Sequence, residues 1–125
     1  MNFRIIKSDK ASVPLGHYSQ AYVYNDIIYI ATQIGLNKNK QVGSIKEQVD
    51  IIFQSLQYIL AEANSDMSSI LKVNIYLSDI SYWDEIDKLY CQYMKDNKPP
   101  RGVIPCLKLH HNADIAFDVI AYVKD

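Results

Sequence analysis

Arg101 is the residue of this 125-residue chain whose setting most suggests chemistry. Pro99 and Pro100 pin the backbone ahead of it, and it opens a predicted strand. A guanidinium fork can bind a carboxylate through two parallel hydrogen bonds, and a preset backbone lowers the entropy of aiming it. The alternative is a surface arginine at a strand start. The three histidines, His17, His110 and His111, lack metal-ligand spacing, and the adjacent pair reads as solvated turn residues. Cys91, in a predicted helix, and Cys106, in a predicted strand, read as buried core thiols. Without a C-x-x-C pair they support neither a disulfide framework nor a zinc site. The chain has no phosphate-cradling glycine loop, nucleophile elbow or H-E-x-x-H.

The elements that must hold Arg101 follow from periodicity. Residues 2–7 read as a short strand, ahead of an irregular stretch around Pro14 and Gly16. Residues 20–24 and 27–32 are rich in β-branched and aromatic side chains, and Asn25-Asp26 between them tolerates the positive φ of a tight hairpin. A polar loop spans 37–43. Residues 45–63 carry Ile45, Val49, Ile52, Phe53, Leu56, Ile59, Leu60 and Ala63 at spacings of three and four, one stripe of a helix. Ser44 and Glu47 have the spacing of a capping box.

Residues 70–77 alternate, which predicts Leu71, Val73, Ile75 and Leu77 on one face of a strand. A second helix is expected over 82–95, with Ser81 as its N-cap and Trp83, Ile86, Tyr90, Tyr93 and Met94 as its buried stripe. Strands over 102–109 and 115–123 complete the chain, with 110–114 as the turn between them. Pro105 cannot donate to a ladder, which places the first of these at an edge or a bulge. The order β-β-β-α-β-α-β-β predicts an α+β fold, one domain over residues 1–125, with both helices on one face of a mixed sheet. The opposite face keeps tyrosines and apolar residues, and is expected to be buried against copies of the chain.

Composition excludes several partners. Thirteen Lys and Arg against fourteen Asp and Glu give a formal charge of −1, with no basic excess for a phosphate backbone. No apolar stretch approaches the roughly 18 residues of a membrane span. The N-terminus does not read as a secretory signal, so a cytoplasmic protein with reduced thiols is expected. Ten of the fourteen aromatics are tyrosine, which suits partly dry interfaces.

Gly16-His17-Tyr18-Ser19-Gln20-Ala21, Ala31-Thr32-Gln33-Ile34, the helix with Gln48, Val73…Tyr76-Leu77-Ser78-Asp79, Tyr90 and Pro99-Pro100-Arg101 follow one another in an order that resembles the RidA/YjgF family, also labelled imine deaminases. The resemblance runs nearly the full length. It implies a chorismate mutase-like fold, a homotrimer with ligand clefts between subunits, and no cofactor or metal. The implied activity is hydrolysis of reactive enamines and imines, such as 2-aminoacrylate and its 2-imino acid tautomer, to 2-keto acids and ammonia.

Residue by residue, the resemblance makes Arg101 the grip on the substrate carboxylate and Tyr18 a cleft wall. It gives Thr32, beside Ala31, the role of offering backbone groups, and puts Asp87 near a usual cleft asparagine. It also implies departures. Ala116 falls where the family carries a glutamate that orients water and relays protons, a contribution typically worth about 10²–10⁴-fold. Ala31-Thr32 stands for a Ser-Gly pair, Gly102 for a serine or alanine, and Val103 for a cysteine. Asp118, two residues beyond Ala116 and on the same strand face, is a candidate replacement acid–base; its alternative is a solvated or trimer-contact residue. Asp114 is a weaker candidate and reads as a turn residue. Two functions stay open: a deaminase clamped by Arg101, and a binding module that keeps the clamp without the relay and holds a small 2-keto or carboxylic acid. An RNA-directed role has no electrostatic footprint.

Overall fold

The computed structural model describes residues 3–124. Six strands form one mixed sheet: β1 (Phe3–Ile6), β2 (Ala21–Tyr24), β3 (Ile27–Gln33), β4 (Ile70–Leu77), β5 (Arg101–Pro105) and β6 (Ile115–Tyr122). Helix α1 (Ile45–Glu62) lies between β3 and β4, and α2 (Trp83–Met94) between β4 and β5. The strands lie side by side in the order β1-β2-β3-β6-β4-β5. All pairs are antiparallel except β4 with β5, the pair joined through α2. The α+β architecture and the mixed sheet agree with the sequence expectation. Asn2, at the predicted start of the first strand, lies outside the described residues.

Local chemistry explains the joints. Asn25 and Asp26 both take positive φ, at 50° and 66°, which closes the β2–β3 hairpin in two residues. Ser44 caps α1 by accepting from Glu47 N at 3.1 Å. Asn64, at φ 57°, ends that helix, because asparagine enters the left-handed region at low cost. The α1 stripe is buried as periodicity predicts, from Val49 to Ala63, and it packs with the inner face of the sheet around Phe53 and Phe117, whose rings meet edge to face at 5.3 Å.

Several expectations about the elements need correction. Leu71 is exposed, not buried, because β4 carries an extra residue between Ile70↔Ala121 and Lys72↔Ile120; the bulge puts Ile70 inside and Leu71 out. Ser81 is not the cap of α2: a 3-10 turn, Ile80–Tyr82, comes first, and Asp79 caps it by accepting from Ser81 N at 2.8 Å. Strand β5 begins at Arg101 and stops at Pro105, so Cys106 lies just past it; the strand is at the sheet edge, where a proline costs no ladder bond. Cys91 is exposed on α2 rather than in the core, and Leu89 takes the buried place.

Candidate active site

A bulge builds one half of the site. Pairing of β3 with β6 passes from Ile30↔Val119 to Gln33↔Phe117, so β3 holds one residue more than its partner at Ala31–Thr32. The extra residue turns Thr32 outward and returns Gln33 to the core. Buried polar groups brace it. Gln33 Nε2 donates to the Ala31 carbonyl at 2.8 Å, Ser55 of α1 donates to Gln33 Oε1 at 2.8 Å, and Ser12 N donates to Ser55 Oγ at 3.0 Å. Gln20 holds the preceding loop through the carbonyls of Ser8 and Ser12, both at 3.0 Å.

Two clefts open beside the bulge. One, of about 340 Å³, lies between the 11–20 and 34–40 segments. The other, of about 430 Å³, has Leu15, Tyr18, Ala31 and Thr32 on one side and Leu109, His110 and Ala116 on the other. Tyr18 is held in its half-exposed position by Leu15 N, which donates to its hydroxyl at 3.0 Å. Ala116 is buried opposite Tyr76 in the β4–β6 ladder. Asp118 is bonded: the Thr32 hydroxyl donates to its Oδ1. Its charge, with burial and a hydrogen bond adding to it, pushes the Tyr76 phenol up.

Arg101 builds the other half. It shares a register row with Val73, which points it to the helix-covered face. Nη1 donates to Asp87 Oδ1 of α2 at 2.8 Å. The guanidinium carbon stands 4.7 Å from the Tyr90 ring centroid and 5.6 Å from that of Trp83, within the range of cation–π attraction. Trp83, expected in the buried stripe, is partly exposed and serves this stack instead. Burial pushes the Tyr90 phenol up, with Arg101 opposing and Asp87 adding to the shift. Asp87, Arg101 and Val103 share a small cleft with Trp83. Among the described residues the rest of the guanidinium fork has no acceptor.

One chain does not bring the two halves together. Three strand spacings, roughly 14 Å, separate β3 from β5, and the Arg101 row faces the helices while Thr32 and Asp118 face away. Of the residues singled out in the sequence, Tyr18, Ala31, Thr32 and Ala116 line one cavity, with Asp118 behind Thr32; Asp87, Arg101 and Val103 form the other group. The bracing Gln33–Ser55 pair and the place of His110 on the cavity wall were not legible in the pattern, because both depend on a bulge and a loop.

Asp114 is structural rather than a plain turn residue. It is buried, accepts from Gln48 Nε2 at 3.1 Å and Ser78 Oγ at 2.8 Å, and pairs with Lys108. Burial works against its charge, but these donors outweigh it and hold the carboxyl below its ordinary value of 3.8. A carboxyl depressed on folding contributes stability that is fully present above its unfolded value and is lost as pH falls through the folded one. Stability should therefore decline below pH 3.8, and Asp114→Asn should flatten that decline; urea midpoints measured from pH 3 to 6 check it.

Six mixed strands under two helices, with a bulged central strand and an arginine at the sheet edge, define a chorismate mutase-like α+β protein. The chain belongs to the RidA/YjgF family: the family model described as Endoribonuclease L-PSP matches residues 8–123. It is 40% identical to a RutC family protein of Aquifex aeolicus over 122 residues, covering 94% of this chain and 98% of the relative. It is 29% identical to the 2-iminobutanoate/2-iminopropanoate deaminase of Homo sapiens, over 94% of this chain and 88% of that one. The crystal structure of yeast Mmf1 superposes with a TM-score of 0.91 at 31% identity, covering 98% of this chain and all of that chain.

Proposed function

We propose that this protein hydrolyses reactive imines and enamines of the 2-aminoacrylate type to 2-keto acids and ammonia, with the site completed between copies of the chain. The observation that carries this reading is the divided site. An arginine fork whose remaining N–H groups have no acceptor among the described residues is fixed at the sheet edge, and a cavity with no lysine or arginine in its lining lies on the opposite face. A ligand carboxylate held by Arg101 of one copy and enclosed by the Tyr18–Thr32–Ala116 cavity of a neighbour uses both halves. The human relative named for 2-iminobutanoate and 2-iminopropanoate supports that substrate class.

The outer sheet face supports assembly, and three copies are the proposed number. Ile5, Tyr22, Tyr29 and Ile120 lie in one row across β1, β2, β3 and β6, and each is partly exposed. Such a contiguous apolar row marks an interface. No described helix is long and apolar enough to cross a membrane, and we place the protein in the cytoplasm. The family model's description names an endoribonuclease, but a formal charge of −1 gives a phosphate backbone little to hold, so RNA stays outside the proposal.

In this reading the guanidinium fixes the substrate so that water meets the imine carbon at an attack distance. No cofactor or metal is part of the proposal. Incubation with enzymatically generated 2-iminobutanoate, followed by the appearance of 2-ketobutyrate and ammonia, tests it; decay no faster than in buffer removes the enzyme. The second reading, a binding module, is favoured by Ala116, a cavity residue that can neither accept nor donate a proton. Calorimetric binding of 2-ketobutyrate without turnover would establish it instead.

The Asp87 ion pair predicts a tunable clamp. Its carboxylate competes with a ligand for the same guanidinium. Asp87→Asn keeps an oxygen for Nη1 and removes the charge. Binding of 2-ketobutyrate should tighten roughly 3–10-fold, about 1 kcal/mol for a partly exposed pair, as read by calorimetry.

A further inference from the structure

We propose that His110 is the acid–base residue of this site. The inference rests on the deaminase reading above and adds the group that moves the proton. Hydrolysis of an imine needs a group that takes a proton from the attacking water and returns one to the departing nitrogen near neutral pH. The cavity that holds Thr32 and Ala116 has no carboxylate among its lining residues. Tyr18 and His110 are its titratable groups, and imidazole is the side chain that exchanges protons between pH 5 and 8. Asp118, the carboxylate one step along β6, is bonded by the Thr32 hydroxyl and does not line the cavity.

The loop that carries His110 is shaped rather than loose. It forms a 3-10 turn, His110–Asn112, in which His111 and Asn112 take positive φ at 58° and 66°. Leu109 N donates to the Ala113 carbonyl at 2.9 Å and Asn112 N to the Leu109 carbonyl at 3.0 Å, closing the loop on itself. The His110 imidazole has no hydrogen-bond partner among the described residues, and its ring lies beside that of His111, at 4.3 Å between centroids. The charged and titratable groups around it are His111 on its own turn, Tyr18 across the cavity, and the Lys108–Asp114 pair at the base of the loop.

The step balances without an added reagent. Water oxygen bonds to the carbon of the protonated imine while neutral His110 accepts one of its two protons, giving a neutral carbinolamine. The imidazolium then donates that proton to the amino nitrogen. The C–N bond breaks as the carbonyl forms and the hydroxyl proton passes to the departing nitrogen, releasing the 2-keto acid and ammonia as ammonium, with neutral imidazole restored.

The test is His110→Ala in the full-length protein, assayed with 2-iminobutanoate across pH 5.5–8.5, with and without free imidazole. A fall in kcat of about 10²-fold at little changed KM is expected, with imidazole in the buffer restoring rate in proportion to its neutral fraction. His111→Asn, which suits the left-handed backbone there, should keep its rate. Circular dichroism shows that each variant is folded. A His110→Ala enzyme with the parent kcat and pH profile overturns the proposal while leaving the deaminase reading intact. A parent protein with no activity overturns the deaminase reading itself, and the proposal with it.

Discussion

Arg101→Ala should lower kcat/KM for 2-iminobutanoate by about 10²–10³-fold, the 2–5 kcal/mol typical of losing one partner of a hydrogen-bonded charge pair at an interface. The loss should appear in KM as well as kcat, because the fork binds and aligns the same carboxylate. Stability should change far less. Arg101 and Asp87 keep 20% and 32% of their side-chain surface in water, so water can rehydrate the orphaned Asp87 carboxylate. Arg101→Lys restores the charge but not the planar fork or its seat over Tyr90, and should recover only part of the rate. Initial rates beside thermal melts separate these effects. An Arg101→Ala protein with parental KM and kcat would mean that no clamp exists at this edge.

Gly35→Ala is the second large effect, and it acts on stability. A Cβ built on Gly35 would stand 2.3 Å from the Gln48 carbonyl oxygen and 2.6 Å from the Gln48 Cα. Both are backbone atoms of α1, so no side-chain rotation can relieve the contact. Overpacking of this kind typically costs about 1–3 kcal/mol, and a backbone obstacle belongs at the upper end. Gln48 makes the shift costlier still, since its side chain accepts from Asp114 N at 3.0 Å and donates to the Gly43 carbonyl at 3.0 Å. A helix displaced at its first turn strains these bonds together. Urea unfolding should show a lower midpoint with an unchanged slope. A midpoint equal to the parent's would contradict the tight approach of the 34–36 segment to α1.

Much of the fold can be read from spacing because one principle governs each element. The α1 stripe is set by a 3.6-residue period, and the β2–β3 hairpin by two residues that tolerate positive φ. Periodicity fails where the ladder gains a residue. Leu71 and Ile70 exchange faces at one bulge, and no composition signal marks it. The second bulge makes Thr32 a cavity residue, and alternation gives no reason to expect the outward turn there. Arg101 could be singled out from its two prolines. Its partner Asp87 could not be paired with it from the pattern, because the contact depends on how α2 docks above the sheet edge. His110 read as solvated for the same reason: exposure and place on a cavity wall are compatible, and only the loop's path distinguishes them.

The extra residue in β3 makes segment length matter more than side-chain identity. A chain one position shorter at Ala31–Thr32 would regain an uninterrupted ladder, with one outward residue opposite Asp118 where two now stand. Gln33 would stay opposite Phe117 on the core side within reach of Ser55, but the cavity would lose one of the two residues, Ala31 and Thr32, that line it. The added residue therefore serves the cavity rather than the core, which a regular strand would fill equally well.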